Sequence, residues 1–173
     1  MLGAALTETE AEEWRVARLL ATASATIAKV PICWVVTPAE GGHDANARAV
    51  RDCTGQRGDP WTRWFLARPG SRKMAEIRRT GRATIAYQHG SGNAYVTLCG
   101  RAAVVDDRAE VEARLGRVVD DPDGSFAARL VAVRVEADRV EVHVRGITAE
   151  PWGQGRTLLQ RDEDGGAWRL LPD

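Results

Sequence analysis

Trp61-Thr-Arg-Trp-Phe-Leu-Ala-Arg-Pro-Gly-Ser-Arg-Lys-Met-Ala-Glu-Ile-Arg-Arg-Thr80 is the stretch on which the fold turns. Trp64-Phe65-Leu66-Ala67 reads as a short apolar strand, and Pro69-Gly70 breaks it. Ser71 then stands at the N-cap of a helix running through Met74, Ile77 and Arg78 to a stop at Gly81. A helix start carries unpaired N–H groups and a partial positive charge, so it attracts anions. Arg72 and Lys73 add a planar fork and a flexible point charge at that position. First turns ordinarily favour Asp or Glu, so two cations there work against the dipole and point to an anionic ligand. The plainer alternative is a capped surface helix with a solvated first turn.

Composition narrows the setting. At 173 residues and 44% hydrophobic, the chain is long enough for one domain with a substantial core. Its formal net charge of zero gives no overall electrostatic case for nucleic acid or an anionic membrane. The basic residues are nearly all Arg, and Lys29 and Lys73 are the only lysines. The three cysteines form no CxxC pair. Cys33 and Cys99 fall inside apolar strands, where small core residues are expected. The N-terminus has neither a basic nor an apolar leader region, and no run approaches a membrane span. A soluble, cytoplasmic protein is therefore expected.

Residues 7–30 read as an amphipathic helix, with Thr7 or Thr9 opening a capping box and Pro31 ending it. Val16, Leu19, Leu20, Ala23, Ile27 and Val30 recur at helical spacing, with Trp14 and Arg18 near the edge of that face. Ile32–Thr37 is a β-branched, aromatic strand, residues 38–44 a turn with His43 solvated, and residues 46–51 a second strand. A period of two puts Asn46, Arg48 and Val50 on one face. Arg48 is thus a candidate partly buried cation, or else a surface arginine on an edge strand. Residues 52–60 form a loop, 83–88 a strand and 93–105 a longer strand, in which Gly100 marks a bulge or a close backbone approach. Residues 106–115 form a short helix with charge pairs such as Arg108 with Glu112.

Asp120, Asp121 and Asp123 sit in a polar turn without EF-hand spacing, so no metal is expected there. Residues 130–136 and 139–145 read as a hairpin across Ala137-Asp138, its second strand keeping Val140, Val142 and Val144 inward and His143 solvated. The sum, roughly six strands and three helices, implies a mainly β (α+β) fold: a six-stranded antiparallel split β-barrel with flanking helices. Nucleotide-loop, zinc-protease and nucleophile-elbow motifs are all lacking.

Taken in order, the apolar strand at 32–37, Arg48-Ala-Val50, Trp64-Phe65 through Ser71-Arg72-Lys73, and Gly100-Arg101 resemble the pyridoxamine 5′-phosphate oxidase-like FMN-binding split barrels. The closest likeness is to their small general-stress-protein branch. The tail, Glu150-Pro-Trp-Gly-Gln-Gly-Arg156 through Arg161 and Trp168-Arg-Leu-Leu-Pro172, resembles the ending of the oxidases. The likeness runs from residue 31 onward.

The resemblance implies one domain over 1–173, an N-terminal helix over 1–30, and a homodimer with FMN at the subunit interface. The tail over 150–173 would complete the partner's flavin site. It places Arg48 and Val50 on the first FMN-binding strand, Leu66 and Ala67 along the flavin, and Ser71, Arg72 and Lys73 at the phosphate. Tyr95 stands where the oxidases carry a flavin-contacting Gln, and Trp152 and Arg161 match residues that close over the partner's flavin. The substrate-holding R-L-H of the oxidases aligns with Thr157, Leu158 and Leu159, which cannot pair a phosphate. The expectation is a flavin-dependent oxidoreductase for a small molecule other than a B6 vitamer. The deazaflavin F420 is an alternative cofactor, and a non-catalytic, stress-related flavin-binding protein an alternative role.

Overall fold

The computed structural model describes residues 7–55, 58–148, 157–162 and 164–172. The first helix, α1, spans Glu8–Ile27 and begins with the capping box. Thr7 Oγ1 accepts from the Glu10 N–H, and Glu10 Oε2 accepts from the Thr7 N–H at 2.8 Å. Its buried stripe of Val16, Leu19, Ala23 and Ile27 packs on the sheet. The helix stops short of the expected residue 30, because the turn that Val30 N–H closes onto Ile27 O precedes Pro31.

The strands are β1 (Ile32–Pro38), β2 (Ala45–Arg51), β3 (Thr62–Ala67), β4 (Arg82–His89), β5 (Ala94–Val105), β6 (Val131–Val144), β7 (Thr157–Arg161) and β8 (Trp168–Leu170). Their order is β2-β1-β4-β5-β6-β7-β8, with β3 pairing β6 from the side. All pairings are antiparallel. β2-β1-β4-β5-β6-β3 thus curl into the expected split barrel, and β2 and β3 form the two lips of its seam. Just beyond β2 the seam is stitched by Cys53 N–H to Trp64 O at 2.8 Å and Trp64 N–H to Thr54 Oγ1 at 2.8 Å. The inward alternation of Cys33, Val35, Phe65, Ile85, Tyr87, Val96, Leu98, Val133, Val135 and Val140 fills the barrel. No described helix is long and apolar enough to cross a membrane.

Three further expectations need correcting. Residues 130–145 are not a hairpin: β6 is one strand of 14 residues. The bend at Ala137-Asp138 is a bulge, with Cys99 opposite Arg139 and Gly100 opposite Ala137, so Asp138 has no counterpart on β5. Gly100 permits this, because a Cβ there would lie 2.0 Å from the Glu136 carbonyl oxygen. The first half of β6 then pairs with β3 and the second half with β7. Cys99 is not a core residue; it is half-buried on the outer face, where the Thr84 hydroxyl donates to its sulfur. His143 is not solvated either: its Nδ1 lies 3.2 Å from Thr148 Oγ1 and its ring centroid 6.1 Å from that of Tyr95.

Two more helices flank the barrel. α2 (Arg72–Thr80) ends at Gly81 with φ of 62°, a left-handed stop that favours glycine. α3 (Arg108–Leu115), capped by Asp107, covers a small second cluster of Val111, Leu115, Ala127 and Ala132. The polar turn after it is held by its own acids: Asp121 accepts from the Phe126 and Ala127 N–H groups and Asp123 from that of Ser125.

Candidate functional site

The site is built where α2 lies across β1 and β2. Register places Thr37 opposite Asn46 and Val35 opposite Arg48. Thr37, Asn46 and Arg48 thereby face the same side, toward Glu76 one turn into α2. Both oxygens of that carboxylate are in use. Oε1 accepts from Asn46 Nδ2 at 2.7 Å; Oε2 accepts from the Thr37 hydroxyl at 2.5 Å and from Arg48 Nη1 and Nη2, each at 3.2 Å. Arg48 Nη1 also donates to Thr37 Oγ1 at 2.7 Å. The Glu76 side chain is only 7% exposed and that of Arg48 20%. Burial pushes the Glu76 carboxyl up, but the bonds from Thr37, Arg48 and Asn46, with the Arg48 charge, outweigh it and hold it below the usual range.

Three sequence-predicted residues gather at the start of α2. Ser71 occupies the N-cap with extended backbone, yet its side chain makes no capping bond. Its Oγ is buried and has no partner among the described residues. A buried hydroxyl without a partner is costly, and this one stands beside the free N–H groups of the first turn. Arg72 is exposed, with Nε 3.7 Å from Glu76 Oε1. Lys73 is half-buried, and burial, with the nearby Arg48 charge, lowers its pKa. The first turn of α2 contains no acid. With Glu76 subtracted, the cluster of Arg48, Arg72 and Lys73 keeps a net positive charge, which suits a phosphate. The helix is moored by Arg79, whose Nη2 donates to the Pro38 and Ala39 carbonyls at 2.8 and 2.9 Å.

The remaining predicted residues lie elsewhere in the chain. Val50, adjacent on β2, and Ala67 are buried in the main core. Leu66 points to the other face of β3 and packs with Trp64 and Leu130 in the α3 cluster. Tyr95 lies beside His143 on the outer side of β5. Arg161, on β7, pairs with Asp59 at 3.5 Å and lies over the Trp168 ring. Trp152 falls outside the described residues. Sequence reasoning missed Glu76 and Thr37. The signals were there: Glu76 is four residues after Arg72, and Thr37 is the inward end of β1.

Thiol chemistry has no foothold in the core: burial raises the Cys33 pKa to about 12 and that of Cys53 to about 11.

The six-stranded split barrel and its cationic helix start define the class of small split-barrel proteins. The chain belongs to the pyridoxamine 5′-phosphate oxidase-like family, whose profile matches residues 20–145. No curated protein matches the chain. Among solved structures it is similar to a Clostridium acetobutylicum protein related to general stress protein 26 of B. subtilis, at 14% identity, 83% of this chain, 94% of that one and a TM-score of 0.63. It also resembles a pyridoxamine 5′-phosphate oxidase-related, FMN-binding protein of Nostoc punctiforme, at 15% identity, 98% and 100% coverage and a TM-score of 0.61. PhzG of Burkholderia lata, solved with tetrahydrophenazine-1-carboxylic acid, matches at 19% identity, 91% and 90% coverage and a TM-score of 0.60. At these identities the likeness establishes the shared fold.

Proposed function

We propose that this chain binds FMN and serves as a flavin-dependent oxidoreductase for a small molecule other than pyridoxamine phosphate. The observation that carries this reading is the convergence on one helix start of Arg48, Lys73 and the Ser71 hydroxyl, which has no partner among the described residues. Ser71 Oγ and the first-turn N–H groups would donate to a terminal phosphate, with Arg72 and Lys73 supplying charge. Bound flavin supplies hydride or electron transfer. The chain's own part is to bind and orient the cofactor, and no side chain is required as a general base. Against B6 chemistry stand Thr157 and Leu159, both buried, and half-buried Leu158, none of which carries the positive charge or imidazole that R-L-H would offer a substrate phosphate.

A homodimer is part of the proposal. The outer face of β1 and β2 shows Ile32, Trp34 and Val36 beside Ala47 and Ala49, with Arg51 at its end opposite Ile32, and Trp34 is 50% exposed. A bare apolar sheet face of this kind suits a second copy of the chain. We place the dimer in the cytoplasm.

The test is the absorption spectrum of the purified protein, followed by anaerobic reduction with NADH or NADPH. A flavin spectrum that bleaches on reduction and returns with a small-molecule acceptor supports the reading. A colourless protein that takes up no added FMN ends it, and retention of F420 alone would reassign the cofactor.

A further inference from the structure

We propose that Glu76 is the positioning residue of the phosphate grip, acting through Arg48; the inference rests on the phosphate-binding role proposed above. The argument is a count of N–H groups. A guanidinium has five donors, arranged so that two neighbouring edges can each serve an acceptor. In Arg48 the end-on edge is spent: Nη1 and Nη2 both donate to Glu76 Oε2. The outer N–H of Nη1 goes to Thr37 Oγ1. What remains is the side edge formed by Nε–H and the second N–H of Nη2, which has no acceptor among the described residues. That edge is the parallel two-donor fork that fits a phosphate.

Glu76 is itself locked. Asn46 holds Oε1, Thr37 holds Oε2, and the carboxylate is almost wholly buried. The Thr37 hydroxyl donates to Glu76 and accepts from Arg48, so the three groups close a ring in which each fixes the other two. An arginine on an edge strand would otherwise lose much side-chain freedom on meeting a ligand. Here that ordering is complete before the ligand arrives, which is how preorganisation raises affinity.

This role is separable from simple charge balance. Glu76→Gln makes the site more positive by one charge. If Glu76 only tempered the charge, phosphate affinity would rise in this variant. If it positions Arg48, affinity falls, because the amide presents a donor where the native carboxylate oxygens accept from Arg48 and Thr37 or from Asn46.

The experiment titrates FMN and riboflavin into flavin-free protein and follows quenching of flavin fluorescence. The two ligands share a ring, so their affinity ratio isolates the phosphate. Wild type should prefer FMN strongly. Arg48→Ala should cut that preference roughly tenfold or more, Glu76→Gln should cut it by a similar factor, and the double variant should cost little beyond either alone. Thr37→Val removes one fastening of Arg48 without changing charge and should lower the preference to a lesser degree, with thermal melts reporting that each variant is folded. Should Glu76→Gln fail to fold, Thr37→Val carries the test alone.

An unchanged or increased FMN preference in folded Glu76→Gln overturns the positioning role while leaving FMN binding intact. The same outcome in Thr37→Val counts equally against it. A wild type that binds neither flavin, or binds both alike, removes the phosphate site and this inference with it.

Discussion

Arg63 donates from Nε and Nη2 to a single oxygen of Asp52, at 3.1 and 2.5 Å, and the Tyr87 hydroxyl donates to that same oxygen at 2.7 Å. The side chains of Arg63 and Asp52 are 10% and 7% exposed, so this is a buried ion pair inside the barrel. Burial alone pushes the Asp52 carboxyl up, but the Arg63 charge and hydrogen bonds, with those from Thr54, bring it below the usual aspartate value. A carboxyl with a lowered folded pKa stabilises the fold above its unfolded pKa and loses that contribution as pH falls through the folded one. Glu76 shifts in the same direction. Stability should therefore fall as pH drops below about 4. Asp52→Asn leaves Arg63 buried without its counter-charge and should cost about 3–5 kcal/mol at neutral pH. It should also make the acid-side slope shallower. Urea denaturation at several pH values checks both; a variant as stable as wild type would contradict the assignment.

The opposite pH limb belongs to Lys73. Its pKa lies below the usual lysine value in the free protein, through burial and then the Arg48 charge. A bound phosphate favours the charged amine, so phosphate affinity should decline as pH rises through the free-site pKa. The FMN-to-riboflavin affinity ratio should begin to fall below about pH 10.4, the ordinary lysine value. In Lys73→Arg that decline should vanish, because arginine keeps its charge. Changing Arg72 and Lys73 together to Ala should weaken FMN on the order of a hundredfold or more while leaving a folded protein. Undiminished retention would remove these residues from the grip.

Gly100 faces the backbone of β6 with no room for a methyl group. An added Cβ would meet Glu136 O at 2.0 Å and its carbonyl carbon at 2.6 Å, and neither is a flexible side-chain end. Gly100→Ala should therefore cost about 3 kcal/mol or more, seen as a clear drop in thermal midpoint. A midpoint within a degree or so of wild type would show that the bulge can open, contrary to its tight packing.

Trp34 offers the direct test of the proposed dimer. Trp34→Lys places a charge in the middle of the bare β1–β2 face. It should convert a dimer to a monomer in sedimentation or light scattering, without lowering helix and strand content. A wild-type monomer would end the dimer proposal, and an unperturbed dimer would move the interface elsewhere.

The elements that the sequence made legible are those with local signatures. The Thr7–Glu10 box, the Pro69-Gly70 break, the Gly81 stop and the inward face of Asn46, Arg48 and Val50 all follow from spacing and turn chemistry. Gly100 was readable as a place of close backbone approach because strands rarely keep a glycine without such a reason. What escaped was non-local. Ala137-Asp138 looks like a turn when only its own strand is considered, and only pairing to β5 reveals a bulge. Glu76 looks like one more charge on a helix, since its buried partners come from β1 and β2, between 28 and 39 residues away. Ser71 was placed at the correct cap, but its hydroxyl does not perform the capping that its identity suggests.

The divided pairing of β6 has a consequence for solubility. Residues 139–142 are sandwiched between β5 on one edge and β7 on the other, and Val140 and Val142 are fully enclosed. A chain cut before Thr157 would leave that edge with open N–H and C=O groups flanked by valines, a template for fibrillar stacking. The terminal hairpin is thus a sheath that keeps neighbouring molecules from zipping onto the barrel, whatever else it contributes.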